Sequence, residues 1–283
     1  GVVSEVTASS RAAILRFTFP KGAKRRLVFD ASRFFMSCFA CDRPQIGGIR
    51  FGSWWNDRRI TAFNSDRCDM VDTPELKNFA AHFTIELSEP FVATGTYVGG
   101  KEHGKRPAPG RAIPWNAYPK VAQFPGEREA EGDLVGGWCE FADGDEPVCV
   151  RIGNSFISES KADDNLAREA GDGFDFEAMK ASARVAWKAK LATMRIDASD
   201  EIKTIFYTAM YHAMLFPREI DEYGEYYSGF DDAVHKGDAS YTCYSMWDTY
   251  RSEHAFLALA APERVDGMMR SILQNYKEGG WLP

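Results

Sequence analysis

Apolar residues alternate with polar ones through the first half of the chain and recur at spacings of three and four through the second. Leu15, Phe17 and Phe19 hold every second position, as do Phe83, Ile85 and Leu87. An apolar group spans Leu27 to Phe29, and Val3, Glu5 and Thr7 alternate against Val2, Ser4 and Val6 at the start. Period two belongs to strands with one buried face. Turn residues interrupt the stretch repeatedly, at Pro20-Lys21-Gly22, Gly47-Gly48, Gly99-Gly100, Pro107 to Gly110, Pro125-Gly126, Gly136-Gly137 and Asp143-Gly144. Short strands with no long amphipathic helix between them predict antiparallel sheets, and so a β-sandwich domain over residues 1–158 whose last strand is Pro147 to Ile157.

After Ser158 the period changes. Asp175 is placed to cap a helix that carries Met179, Ala183, Ala186, Trp187 and Leu191, with Lys and Arg on its other face, so residues 159–195 are predicted to be a helical linker. Asp197 to Asp200 leads into a second helix with the stripe Ile202, Ile205, Phe206, Ala209, Met210, Ala213 and Met214, which ends before Pro217 because proline disfavours helix in the residue before it. Arg218 to Asp238 reads as a loop or small hairpin. Helix is expected again over Thr249 to Ala260, and Pro262 opens another with the stripe Val265, Met268, Met269, Ile272, Leu273 and Tyr276, closed at Gly279. Residues 196–283 are thus expected to open an all-α domain. Its stripes ask for more helical partners, so the sequence is expected to continue past Pro283, as the strand under way at residue 1 implies an earlier start.

Composition narrows the possible functions. The 283 residues are 45% hydrophobic and 27% charged, which is ordinary for a globular protein. A net charge of −7 argues against nucleic acid as a partner, and Lys21 to Arg26 reads as a solvated strand end rather than a basic patch. No apolar run approaches the ~20 residues that span a bilayer, and the first residues lack the features of a signal peptide. The six cysteines, Cys38, Cys41, Cys68, Cys139, Cys149 and Cys243, are too sparse for a disulfide scaffold. Cys38 and Cys41 form a lone C-x-x-C, read as ordinary thiols rather than half a zinc site.

Candidate chemistry gathers near the end. Trp247, Asp248 and Arg251 combine an apolar ring face, an acceptor and a fixed cation within about one helical turn, which suits a polyhydroxylated ring. Asp248 follows the apolar stretch Cys243 to Met246, so it is expected to be half-buried and paired with Arg251, either as a helix anchor or as an oriented acceptor for two adjacent sugar hydroxyls. Such pairing lowers a carboxyl pKa, which disfavours Asp248 as a general acid. The acidic groups Asp143, Asp145 and Glu146, Asp163-Asp164 and Asp231-Asp232 read as solvated turns. His212 is expected in a helix core, and His254 extends the Arg251 face. His82, His103 and His235 read as peripheral. Asp231, Asp232 and Asp238 do not match the calcium loop of an EF-hand, and no G-x-S-x-G, H-E-x-x-H, Walker or dinucleotide motif occurs.

The segments ILRFTFP, VRIGNSFIS, FDFEAMKASARVAWKAKL, IFYTAMYHAMLFPR, YSMWDTYRSEH and PERVDGMMRSILQNYKEGGWLP resemble glycoside hydrolase family 92, the calcium-dependent α-mannosidases. The resemblance implies a β-sandwich followed by the first helices of an (α/α)6 barrel, and release of terminal mannose from glycans with inversion. It places Asp248 as the acceptor of the terminal mannose, framed by Trp247 and Arg251, and Gly279, Gly280 and Trp281 in a loop beside that pocket. It also implies a periplasmic or secreted protein. General acid, general base and calcium ligands are expected outside this chain, so no catalytic or metal residue is assigned and the chain alone is expected to be inactive. Two other readings stay open: a trehalase-like or glucoamylase-like glycosidase, and a non-catalytic carbohydrate-binding module.

Overall fold

The computed structural model describes residues 1–32, 46–52, 57–65, 76–99, 121–132 and 134–282. Cys38, Cys41, Cys68 and His103 lie outside them. The chain divides into two compact units, Gly1–Met179 and Lys180–Pro283.

The first unit is the antiparallel sandwich that the alternation predicts. One sheet has the order β1 (Val3–Ala8), β2 (Ala12–Thr18), β11 (Val148–Ser155), β6 (Ala81–Leu87), β5 (Arg59–Asn64), β4 (Gly47–Phe51) and β9 (Glu129–Gly132). The other runs β3 (Arg26–Ser32), β10 (Val135–Phe141), β7 (Phe91–Gly99) and β8 (Val121–Pro125). Side chains alternate between the faces of a strand, so the inward residues of both sheets merge into one core. Ile49, Phe51, Ile60, Leu87, Val148 and Val150 from the first sheet meet Leu27, Phe91, Val135, Cys139 and Phe141 from the second. The rings of Phe51 and Phe91 meet edge to face at 5.8 Å. Cys139, Cys149 and Cys243 are free thiols, and burial pushes Cys139 up to about 12, which makes it inert.

Strand β2 is buried on both sides. Leu15 and Phe17 pack against the sandwich core, whereas Ala12 and Ile14 lie under Leu166, Phe176 and Met179. Those residues come from α1 (Glu159–Ala170) and the first turn of α2 (Phe176–Leu191). Helix α1 is an element that the linker reading did not separate. Ser158 caps it by accepting from the Lys161 amide at 3.2 Å, and Gly171 ends it. A Cβ on Gly153 of β11 would lie 2.4 Å from the Ala162 carbonyl oxygen, so glycine permits this close docking. Asp163 accepts from Arg59 Nη2 at 2.7 and 2.8 Å and from Thr84 Oγ1 at 2.5 Å. It therefore ties the helix to the sheet and is not the solvated turn residue expected. Asp175 does cap α2, accepting from the Ala178 amide at 2.9 Å.

The second unit holds α3 (Asp200–Ala213), α4 (Met246–Thr249), α5 (Glu253–Ala260) and α6 (Pro262–Gly279). Two small antiparallel pairs lie between α3 and α4. Strand β12 (Arg218–Glu219) pairs with β15 (Tyr241–Thr242), and β13 (Glu225–Ser228) forms a hairpin with β14 (Ala233–Lys236). Its core is small: Tyr241, Tyr244, Leu257 and Met268 are buried, with Met214, Met246, Phe256 and Ile272 against them. The helix expected over Thr249 to Ala260 is broken at residues 250–252. His212, expected in a core, is exposed, because only Met210 of α3 is buried. Among the described residues no helix is long and apolar enough to cross a membrane.

Candidate functional site

Residues 241–251 form a turn whose inward side chains anchor it and whose outward ones form a solvent-facing strip. The Tyr241 amide donates to Ser271 Oγ at 2.8 Å, and the buried Tyr244 hydroxyl donates to the Met268 carbonyl at 2.8 Å. Thr249 Oγ1 bonds the Tyr244 carbonyl at 2.8 Å and lies 2.8 Å from His254 Nε2. Burial lifts Tyr244 to about 12, so its hydroxyl stays protonated and donating at neutral pH. Cys243 and Ser245 on either side adopt left-handed backbone, with φ of 62° and 45°. For non-glycine residues that conformation costs roughly 1 kcal/mol or more and persists where surrounding structure enforces it. The three buried anchors supply that enforcement.

The strip itself comprises Trp247, Asp248, Tyr250 and Arg251. Trp247 is 90% exposed and Tyr250 63% exposed. Asp248 is exposed rather than half-buried, and its partner is Ser245, whose Oγ donates to Asp248 Oδ2 at 2.6 Å. The expected ion pair with Arg251 is not formed. Helix α4 stops at Thr249, so Asp248 and Arg251 fall on different local segments and lose the i,i+3 alignment of a continuous helix. Arg251 instead lies over the Tyr250 ring, 5.5 Å from its centroid, and its Nε donates to the Tyr250 hydroxyl at 3.0 Å. Ser245 and Tyr250 were thus absent from the sequence reading. Ser245-x-x-Asp248 has the spacing of a capping box, but Ser245 is left-handed and caps no backbone amide; its hydroxyl bonds the Asp248 carboxylate directly.

Gly279, Gly280 and Trp281 sit at the end of α6. Gly280, not Gly279, is the left-handed cap, with φ of 77° and its amide bonded to the Tyr276 carbonyl at 2.8 Å. The Phe230 ring packs on Gly279, where a Cβ would lie 2.4 Å from Phe230 Cδ1. Trp281 is 79% exposed. Among the described residues no hydrogen bond, ion pair or ring contact joins this group to the Trp247–Arg251 strip. Both groups present an exposed indole, and the strip adds an acceptor and a cation, which together can stack on a pyranose and bond its hydroxyls.

Two further groups of titratable residues stand out. Burial raises the Glu253 carboxyl above its ordinary range, and its Oε1 is sealed from solvent with no hydrogen-bond partner. His235, read as peripheral, lies 2.8 Å from Asp231 Oδ2, and these two with Glu278 form the one group of His, Cys, Asp or Glu side chains among the described residues whose ligand atoms lie within 4.8 Å of one another. That donor set does not fit calcium, which takes six to eight oxygen ligands.

Two family models match the chain: the glycosyl hydrolase family 92 N-terminal domain over residues 1–155, and the glycosyl hydrolase family 92 catalytic domain over residues 161–283. A family GH92 inverting mannosidase from Bacteroides thetaiotaomicron is 26% identical with a TM-score of 0.80, and the match covers 100% of this chain and 34% of that one. The fold is shared by a GH92 α-mannosidase of the same organism, 23% identical with a TM-score of 0.73, covering 100% of this chain and 35% of its own. An uncharacterized secreted glycosidase of Arthroderma benhamiae is 29% identical over 117 residues, 40% of this chain and 14% of that protein. The chain therefore spans about a third of the length of the solved structures it matches. With both of its regions matched by consecutive domains of one family, from the sandwich through the turn that displays Asp248, the chain belongs to glycosyl hydrolase family 92.

Proposed function

We propose that this chain is part of an exo-acting α-mannosidase that releases terminal mannose from glycans by inverting, calcium-dependent hydrolysis. One observation carries the reading: a rigidly anchored turn displays an indole, a carboxylate and a guanidinium to solvent within five residues, in a chain of a glycosidase family. In this reading Asp248 accepts hydrogen bonds from two adjacent hydroxyls of the terminal mannose, and Ser245 holds the carboxylate in place. Trp247 covers the apolar face of the sugar, and Arg251, steadied on Tyr250, donates to a hydroxyl. Gly279, Gly280 and Trp281 border the same subsite. The likeness to an inverting mannosidase of Bacteroides supports the stereochemistry, and the likeness to a secreted glycosidase of Arthroderma supports export from the cell.

Inverting hydrolysis needs one carboxylic acid to protonate the leaving oxygen and one carboxylate to activate water. Neither role is assigned to a residue of this chain, and none of its described residues is assigned to calcium. The family's catalytic-domain match over 161–283 favours this reading over a trehalase-like or glucoamylase-like enzyme and over a stand-alone binding module.

The test uses the complete gene product. It is expected to release mannose from an α-mannoside with the β-anomer appearing first in proton NMR, and to stop on removal of calcium by a chelator. Asp248→Ala is expected to lower kcat/KM by about 10²-fold or more, as for sites that lose an acceptor for substrate hydroxyls. The 283-residue chain alone is expected to give no turnover. Full activity in the Asp248→Ala protein, or preference for an α-glucoside, overturns the proposal.

A further inference from the structure

The β13–β14 hairpin and the last turn of α6 bring together three ligand-type side chains, none of them part of the displayed turn. Asp231 comes from the hairpin turn, His235 from β14 and Glu278 from α6. His235 Nε2 lies 3.0 and 2.8 Å from the two Asp231 oxygens, and one ligand atom from each of the three residues falls within 4.8 Å of the others. Glu278 Oε1 accepts from the Tyr226 hydroxyl at 2.5 Å and from Gln274 Nε2 at 2.7 Å. Its Oε2 is sealed from solvent and has no hydrogen-bond partner. A carboxylate oxygen left so is costly unless a cation compensates it. The Tyr226 ring also stacks on His235, with centroids 5.6 Å apart and planes at 26°, so one tyrosine orients two of the three ligand groups.

We propose that Asp231, His235 and Glu278 bind a divalent transition-metal ion of the zinc class, which clamps the hairpin to the end of α6. One imidazole and two carboxylates are the donor set of such ions, with water in the remaining position, whereas calcium takes a shell of oxygens alone. Ligand atoms around a tetrahedral zinc stand about 3.4 Å apart for bonds of about 2.1 Å. The ligand atoms here lie within 4.8 Å of one another, the nearest pair 2.8 Å apart, which brackets that spacing. The hydrogen bonds of Tyr226 and Gln274 to Glu278 are the outer-shell support that metal ligands use. Asp231 is exposed, which leaves the ion a path from solvent. The clamp ends one residue before Gly279, on which the hairpin's Phe230 packs, so it would hold the Gly279-Gly280-Trp281 segment in place. The assignment does not depend on what that segment binds.

The full chain, stripped with a chelator and dialysed, is titrated with Zn2+ and separately with Co2+. One ion per chain is expected, with a rise of several degrees in Tm at saturating Zn2+, and with a tetrahedral ligand-field spectrum of Co2+ that lacks thiolate charge-transfer bands. His235→Ala and Glu278→Gln are each expected to weaken binding at least tenfold, and Asp231→Asn to weaken it less. The metal-free Tm and circular dichroism of each variant separate loss of the site from loss of the fold. Unchanged stoichiometry and affinity in His235→Ala, thiolate bands in the Co2+ spectrum, or a Tm shift given by Ca2+ and not by Zn2+ each overturns the proposal.

Discussion

The sandwich and the helical unit bury their apolar residues to different degrees. In the sandwich the inward positions of both sheets meet in one cluster that includes Ile60, Val135, Cys139 and Val148, all at 0% exposure. In the helical unit four residues are buried together, two of them tyrosines, while Ile202, Ile205, Leu259 and Leu273 are 50% or more exposed. A strand pair completes much of its own environment, because neighbouring strands supply hydrogen bonds and the facing sheet covers the inward side. An amphipathic helix only advertises a face, and something else must cover it. The helical unit is accordingly held by specific anchors, namely Tyr241 and Tyr244 on α6 and Thr249 on its own turn, rather than by bulk burial.

Substitutions in the two units sharpen that contrast. The largest expected effect is in the sandwich: Ile60→Ala leaves a cavity at a fully buried site and is expected to cost about 2–5 kcal/mol in chemical denaturation. A gain or no change there would mean that the sandwich core is not what holds the first unit together. Gly153→Ala pushes a methyl group into the Ala162 carbonyl and is expected to cost about 1–3 kcal/mol, with α1 released first in hydrogen exchange. By contrast, Ile205→Ser on the exposed face of α3 is expected to change stability by less than about 0.5 kcal/mol while improving solubility.

The smallest effect has the opposite sign. Burial raises the Glu253 pKa in the folded state, so this group's stabilising contribution is complete below its unfolded pKa and is lost as pH rises through the raised folded value. Glu253→Gln removes that loss. It is expected to raise stability at pH 7 by under about 1 kcal/mol, given the group's partial exposure, with the gain vanishing near pH 4. Equal gains at both values would mean that the effect does not arise from ionisation of Glu253, and so not from the burial of its charge.

The strands, the caps at Asp175 and Pro262 and the hairpin after Arg218 were legible because each rests on local pattern, with period two, an N-cap acceptor, a proline at the first turn and turn residues at fixed offsets. The helical linker expected over 159–195 does not resolve α1 from α2, because Glu159 to Ala170 is highly polar and shows its single buried stripe, Ala162, Asn165 and Leu166, only once a sheet lies beneath it. The role of Asp163 escaped notice for the same reason: its partners Arg59 and Thr84 are 104 and 79 residues away in sequence. The Asp248–Arg251 pair was inferred from helical spacing, and it fails because the helix breaks at Tyr250.

Sequence alone determined the order of the two architectures and the antiparallel pairing, since both depend on residue types at short spacings, and the likeness of its segments to known sequences carried the family. The solvent exposure of Asp248, the docking of α1 and the meeting of Asp231, His235 and Glu278 were decided only by the tertiary structure. Each requires side chains that belong to separate elements, or to one helix interrupted in mid-course, and no local period encodes where two elements touch.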